Sequence, residues 1–194
     1  MAKKLKVSKK HLGLDSQDFM SKFTMNLKYL ELEFKKGRNL IFDLDNTLID
    51  EKKYLFSAYK EISLKLNNYE IYHFLLENFN SKGRKYIYQK LKAQFEPKYF
   101  ELENFLDILR NHNPTEKIIT LQWFQEFIKI LNINLPIYII TNGNVIQQKN
   151  KVKHIKFPEK VLLKKIIYAN QLKKKPDPEA YYELCKQEEV NEAI

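Results

Sequence analysis

The sequence predicts an α/β fold, a Rossmann-like parallel sheet with an inserted α-helical lobe, and three stretches predict it. Leu40-Ile41-Phe42, Pro136 to Thr141 and Ile166 to Ala169 are short runs that are almost wholly apolar. A strand apolar on both faces is a buried strand of the kind that fills parallel sheets. Each run ends in residues that do not belong in a core: Asp43 and Asp45, then Thr141-Asn142-Gly143, then Lys173-Lys174-Lys175-Pro176-Asp177. Between the first two runs the apolar period changes from that of a strand to that of a helix.

Composition sets the outer limits. A chain of 194 residues with 44% hydrophobic and 13% aromatic residues can bury a sizeable core in one domain, with room for an inserted lobe. The single cysteine, Cys185, leaves no disulfide framework and no thiolate metal site, so a reducing cytoplasm is the expected compartment. The N-terminus is basic but has no apolar run to serve as a signal-peptide core, and no later stretch is long and uncharged enough for a bilayer. No membrane association is expected. A net charge of +10 and a pI near 9.4 attract nucleic acid and phosphorylated metabolites alike. The lysines are spread over the chain without zinc-finger spacing or aromatic RNA-binding patterns, so nucleic acid is not the expected partner.

In chain order, residues 1–24 read as a basic leader, expected to be partly disordered. Leu27, Leu30 and Phe34 then predict a helix over 25–36, ended by Gly37, ahead of a first strand at about 38–43. Four helices follow from the apolar sets Leu55, Tyr59, Ile62, Leu66; Ile71, Phe74, Leu75; Ile87, Leu91, Phe95; and Leu102, Phe105, Leu106, Leu109. Asn113-Pro114-Thr115-Glu116 reads as a helix start, with Phe124, Phe127, Ile128 and Leu131 on that helix's apolar face. The second strand runs from Pro136 to Thr141, followed by a helix over about 145–153. After the third apolar run, Asp177 and Pro178 open a last helix with Tyr181, Leu184 and Cys185 on one face. The expected domains are therefore an α/β core over 25–50 and 114–194 and a helical cap over 51–113.

In a parallel sheet with helical crossovers all three strand ends arrive at one edge, where such folds bind ligands. They bring two carboxylates, the hydroxyl and amide pair of Thr141 and Asn142, and Lys175. That set suits phosphoryl transfer. One carboxylate attacks phosphorus, a second protonates the leaving oxygen, a hydroxyl and an ammonium hold the phosphoryl oxygens, and a magnesium ion offsets repulsion. Asp50 is a candidate supporting residue, whereas His11, His73, His112 and His154 have no ligand spacing and read as structural.

Asp43-Leu44-Asp45-Asn46-Thr47-Leu48, Thr141-Asn142-Gly143 and Lys175-Pro176-Asp177-Pro178, in that order, resemble the first three motifs of the haloacid dehalogenase-like (HAD) superfamily over about residues 39–185. The resemblance implies a Mg²⁺-dependent phosphatase. Asp43 would be the nucleophile and Asp45 the general acid and base. Thr141, Asn142 and Lys175 would bind the phosphate. The metal would sit on Asp43 and on the backbone carbonyl of Asp45. The helical insert would be the cap that selects substrate, expected to be a small phosphorylated metabolite such as a nucleotide, flavin mononucleotide or a sugar phosphate.

One departure from the family pattern carries an alternative. The fourth motif, an acidic pair that completes the metal site, has no counterpart before Ile194, so the chain is expected to be truncated ahead of it, with the core incomplete at its C-terminus. The alternative function is a catalytically impaired protein that binds a phosphate ligand or assembles with another chain. A second copy or a pairing chain would then cover the open sheet edge.

Overall fold

A computed structural model describes residues 28–29, 31–32, 39–79 and 86–188. Residues 28, 29, 31 and 32 are helical, within the helix predicted over 25–36. The rest of that helix and the basic leader lie outside the described residues. The chain forms two compact units, one from the described parts of Met1–Leu44, Leu121–Thr141 and Pro158–Ile194, the other from Asp45–Thr120 and Asn142–Phe157.

The first unit holds a three-stranded parallel sheet, the α/β arrangement that the apolar runs predict. Its strands are β1 (Leu40–Phe42), β3 (Leu135–Thr141) and β5 (Val161–Tyr168), in the order β1-β3-β5. β3 is central, and Leu135, Ile137, Ile139 and Ile140 are each at most 1% exposed, as a strand covered on both faces requires. α5 (Gln122–Leu131) buries Phe124, Phe127, Ile128 and Leu131, and the Phe42 ring meets Phe124 edge-on at 5.5 Å. A second cluster joins Tyr138, Ile140 and Ile167 of the sheet to Ala180 and Leu184 of α7 (Glu179–Glu188), with Ile41, Tyr181 and Cys185 packed against it.

β5 is longer than the Ile166–Ala169 run predicts. It begins at Val161 and admits Lys164 and Lys165 through a shift in register between Ile137 and Tyr138, whose partners are Leu163 and Lys165. The bulge leaves Lys164 unpaired with β3. Two charges in the strand hid its first half from an apolar count.

The second unit contains the helices α1 (Glu51–Lys65), α2 (Glu70–Phe79), α3 (Ile87–Phe95) and α4 (Leu102–Asn111), the four that the periodicity predicts, together with α6 (Val145–His154). β2 (Ile118–Ile119) and β4 (Ile155–Lys156) pair in parallel within it. Its core takes Tyr54, Leu55, Ala58, Tyr59 and Ile62 from α1, Ile71 and Leu75 from α2, Leu91 from α3, and Phe105 and Ile108 from α4. The helix start read at Asn113–Glu116 is corrected here: that segment is not helical, and α5 opens at Gln122 behind Leu121. The reason is β-branching. Ile118, Ile119 and Thr120 extend instead, the first two pairing with β4 and Thr120 bridging Ile49.

α1 is tied to the end of α4 by polar contacts. The buried His112 ring places Nδ1 2.5 Å from Glu61 and Nε2 2.8 Å from Ser57 Oγ. The Tyr54 hydroxyl donates to the carbonyls of Leu109 at 3.2 Å and His112 at 3.0 Å. Burial, the dominant cause, pushes the Tyr54 phenol up to about 12.

Candidate active site

Within the first unit, the three strand ends present Asp43 after β1, Thr141 at the end of β3 and Lys175 beyond β5. The Lys175 ammonium lies 2.6 Å from Asp43 Oδ1 and 2.7 Å from the Ile140 carbonyl oxygen. Lys175 is held between a carboxylate of one strand end and the backbone of the next. Asp43 stays 43% exposed while Lys175 is 16% exposed, so the carboxylate faces solvent and the ammonium stands behind it. Thr141 is 1% exposed. Tyr181 on α7 packs near this pair, its phenol held above the usual range by burial first and by the Asp43 charge second.

The second unit receives the other carboxylate, Asp45, which is met by two side chains of α6. Lys151 Nζ lies 2.8 Å from Asp45 Oδ1 and 2.9 Å from Oδ2. Gln148 Nε2 donates to Asp45 Oδ2 at 2.8 Å and to the Asn142 carbonyl at 2.7 Å. Asn142 therefore enters this cluster through its backbone. Lys151 and Gln148 are each 1% exposed. The Lys151 ammonium also stands 5.5 Å over the Tyr54 ring and 3.9 Å from Glu51.

The turn that launches α6 explains this placement. Gly143 adopts φ +114°, in the region closed to side chains, and a Cβ there would come 3.3 Å from the Gln148 side chain. Asn144 then caps the helix, its Oδ1 accepting from the N–H groups of Ile146 at 3.0 Å and Gln147 at 3.2 Å. Gln148 and Lys151 follow one turn apart and face inward together. Asn46, with φ 57°, turns the chain after Asp45, and its backbone N–H reaches the Ile49 carbonyl at 2.7 Å.

Asp43 and Lys175, 132 residues apart, are thus brought together, and Thr141 ends the neighbouring strand of the same sheet. Asp50 serves as the N-cap of α1, accepting from the Lys52 N–H at 3.0 Å. Gln148 and Lys151 escaped the sequence reading. The signal for them is negative: α6 carries no apolar stripe, so whatever it buries must be polar, and Gln148 and Lys151 are its buried residues.

For a metal, the donor that fits is Asp43. Lys175 bonds its Oδ1, its side chain is 43% exposed, and a hard cation that keeps its waters needs only one or two carboxylates. The Asp45 side chain fits less well, since both of its oxygens already accept from Lys151. No cluster of three or more His, Cys, Asp or Glu side chains suited to a metal occurs among the described residues. No helix among them is long and apolar enough to cross a membrane.

A parallel sheet with a carboxylate and a lysine at its carboxyl edge is an α/β fold with polar groups where such folds bind ligands. The comparisons name the family: the model for haloacid dehalogenase-like hydrolases matches residues 40–193, and the chain belongs to that family. No curated protein matches it in sequence. Among solved structures, it is similar to a Thermotoga maritima protein described as a beta-phosphoglucomutase, at 18% identity and TM-score 0.50, covering 81% of this chain and 74% of that one. A hydrolase from Streptococcus pneumoniae is 12% identical with TM-score 0.45, covering 80% of each chain. A Bacillus subtilis protein described as the HAD-hydrolase YfnB, bound to magnesium, is 16% identical with TM-score 0.45, covering 77% of this chain and 72% of that one. At such identities the likeness is one of fold.

Proposed function

We propose that this chain hydrolyses the phosphate monoester of a small metabolite through an aspartyl phosphate on Asp43. The observation that carries the reading is the Lys175 ammonium 2.6 Å from Asp43 Oδ1 at the carboxyl edge of the sheet. A lysine so placed orients the nucleophile and stays beside it as phosphoryl oxygens arrive. The Asp43 carboxylate attacks phosphorus, and the bond from phosphorus to the leaving oxygen breaks. Asp45 gives that oxygen its proton, then accepts one from the water that attacks the aspartyl phosphate, releasing inorganic phosphate and restoring Asp43. Thr141, the last residue of β3, and Asn142, the next, would complete the phosphate-binding set.

Asp43 would hold Mg²⁺, which supplies charge neutralisation between carboxylate and phosphate. The substrate class is a nucleotide, flavin mononucleotide or a sugar phosphate, and the expected compartment is the cytoplasm. Phosphate release from a panel of these esters, with Mg²⁺ and with chelator, tests the reading. Asp43→Asn abolishes release if it is right; a rate equal to that of the parent protein overturns it.

A further inference from the structure

We propose that Ser57, His112 and Glu61 form a second nucleophilic site, one that takes activated acyl donors: carboxylic esters and thioesters with a good leaving group. All three residues lie in the second unit, and none of Asp43, Asp45, Thr141 or Lys175 belongs to the set. His112 Nε2 stands 2.8 Å from Ser57 Oγ, and its Nδ1 stands 2.5 Å from a Glu61 carboxylate oxygen. A carboxylate only accepts, so Nδ1 carries the ring proton toward Glu61, and in the neutral ring Nε2 is the acceptor for the Ser57 hydroxyl. A nucleophile bonded to a base that a third group orients is the signature of covalent catalysis, and it is recognised by geometry rather than by order in the chain.

Each member is placed for its role. Ser57 and Glu61 sit one turn apart on α1, so a single helix face sets the spacing of nucleophile and acid. His112 follows α4 with its backbone held at both ends: its N–H donates to the Ile108 carbonyl at 2.9 Å, and its carbonyl accepts from the Tyr54 hydroxyl at 3.0 Å. The ring is 5% exposed, Ser57 is half-buried and Glu61 is 49% exposed, so the base is shielded while the nucleophile stays partly open to solvent. Mid-helix N–H groups are spent on carbonyls four residues back, so α1 offers no backbone oxyanion hole. Lys53 and Lys60, exposed at i−4 and i+3 from Ser57, share its face and supply positive charge for the developing oxyanion. The substrate class is limited to activated acyl groups for that reason. Ser57 Oγ attacks the acyl carbon as its proton passes to His112 Nε2, and Nε2 gives that proton to the leaving oxygen or sulfur as its bond to carbon breaks. Water then attacks the acyl-serine, its proton goes to Nε2 and on to the departing Oγ, and the carboxylic acid is released.

The test is covalent labelling. The full chain is incubated with a fluorophosphonate, from which Oγ displaces fluoride at phosphorus, and the labelled peptide is mapped by mass. Release of p-nitrophenol from p-nitrophenyl acetate is followed alongside. The label is expected on Ser57, and Ser57→Ala removes both the label and the release. His112→Gln slows labelling by about 10²-fold or more, the usual share of a general base. Glu61→Gln, a change at a half-exposed side chain, slows both reactions less and serves if His112→Gln does not fold. A serine that only ties α1 to α4 reacts no faster than other hydroxyls, so an unlabelled Ser57 in the parent protein overturns the proposal. A labelling rate that Glu61→Gln leaves unchanged overturns it too, as does p-nitrophenol release unaltered in Ser57→Ala. Neither readout measures phosphate release, so failure here and failure of the Asp43 reading are distinct results.

Discussion

The Lys175 ammonium bridges Asp43 Oδ1 at 2.6 Å and the Ile140 carbonyl at 2.7 Å, so one cation pins the end of β1 to the end of β3. Asp43 is half-solvated and contributes little net stability through this pair. Lys175→Met should therefore change the urea midpoint by less than the equivalent of about 1 kcal/mol. Phosphate release should fall by about 10²–10³-fold, the usual loss on removing one electrostatic stabiliser. Equal kinetics in the variant would show that the pair is structural only.

Gly143 allows a sharper stability test, because its φ of +114° is closed to other residues and the space beside it is filled by Gln148. Gly143→Ala should cost about 1–3 kcal/mol in chemical denaturation, from backbone strain plus displacement of Gln148. An unchanged midpoint would mean that the turn into α6 relaxes freely.

Tyr54 predicts a pH dependence whose sign follows from its phenol, raised by burial to about 12 against an ordinary value near 10. The folded protein keeps the proton that the unfolded chain begins to lose near pH 10. The contribution is fully present below pH 10 and is lost as pH rises from 10 through 12. Thermal melts across that window should fall more steeply for the parent protein than for Tyr54→Phe, in which this group no longer titrates. Parallel profiles would contradict the assignment.

His112 holds α1 to α4 through Glu61 and Ser57 and meets the Tyr54 ring edge-on at 5.3 Å. His112→Ala should lower stability by about 1–3 kcal/mol, since it removes both hydrogen bonds and leaves a buried gap. Differential denaturation of the two proteins measures it.

Much of this was legible before the structure. The positions of Asp43, Thr141 and Lys175 were readable because each stands at the end of an apolar run or a few residues beyond it, and chain direction in a parallel sheet does the rest. The helices of the second unit were readable because apolar residues recur at helical spacing through 51–111. Other features were hidden. Asn113-Pro114 has the chemistry of a helix start, but the β-branched residues after it found partners in β4 and Ile49, and tertiary pairing overrode the local signal. Lys151 was hidden because a lysine in a polar helix reads as surface, and its burial is offset by Asp45, which arrives from 106 residues away.

The direct test of Asp43 as nucleophile is to quench the protein during turnover of a phosphate ester, reduce with borohydride and map the peptides by mass. Borohydride reduces an acyl phosphate but leaves a free carboxylate alone, so the account predicts a modified side chain at Asp43 that appears only with substrate. Sustained turnover with Asp43 unmodified, or with the label on another residue, would contradict it.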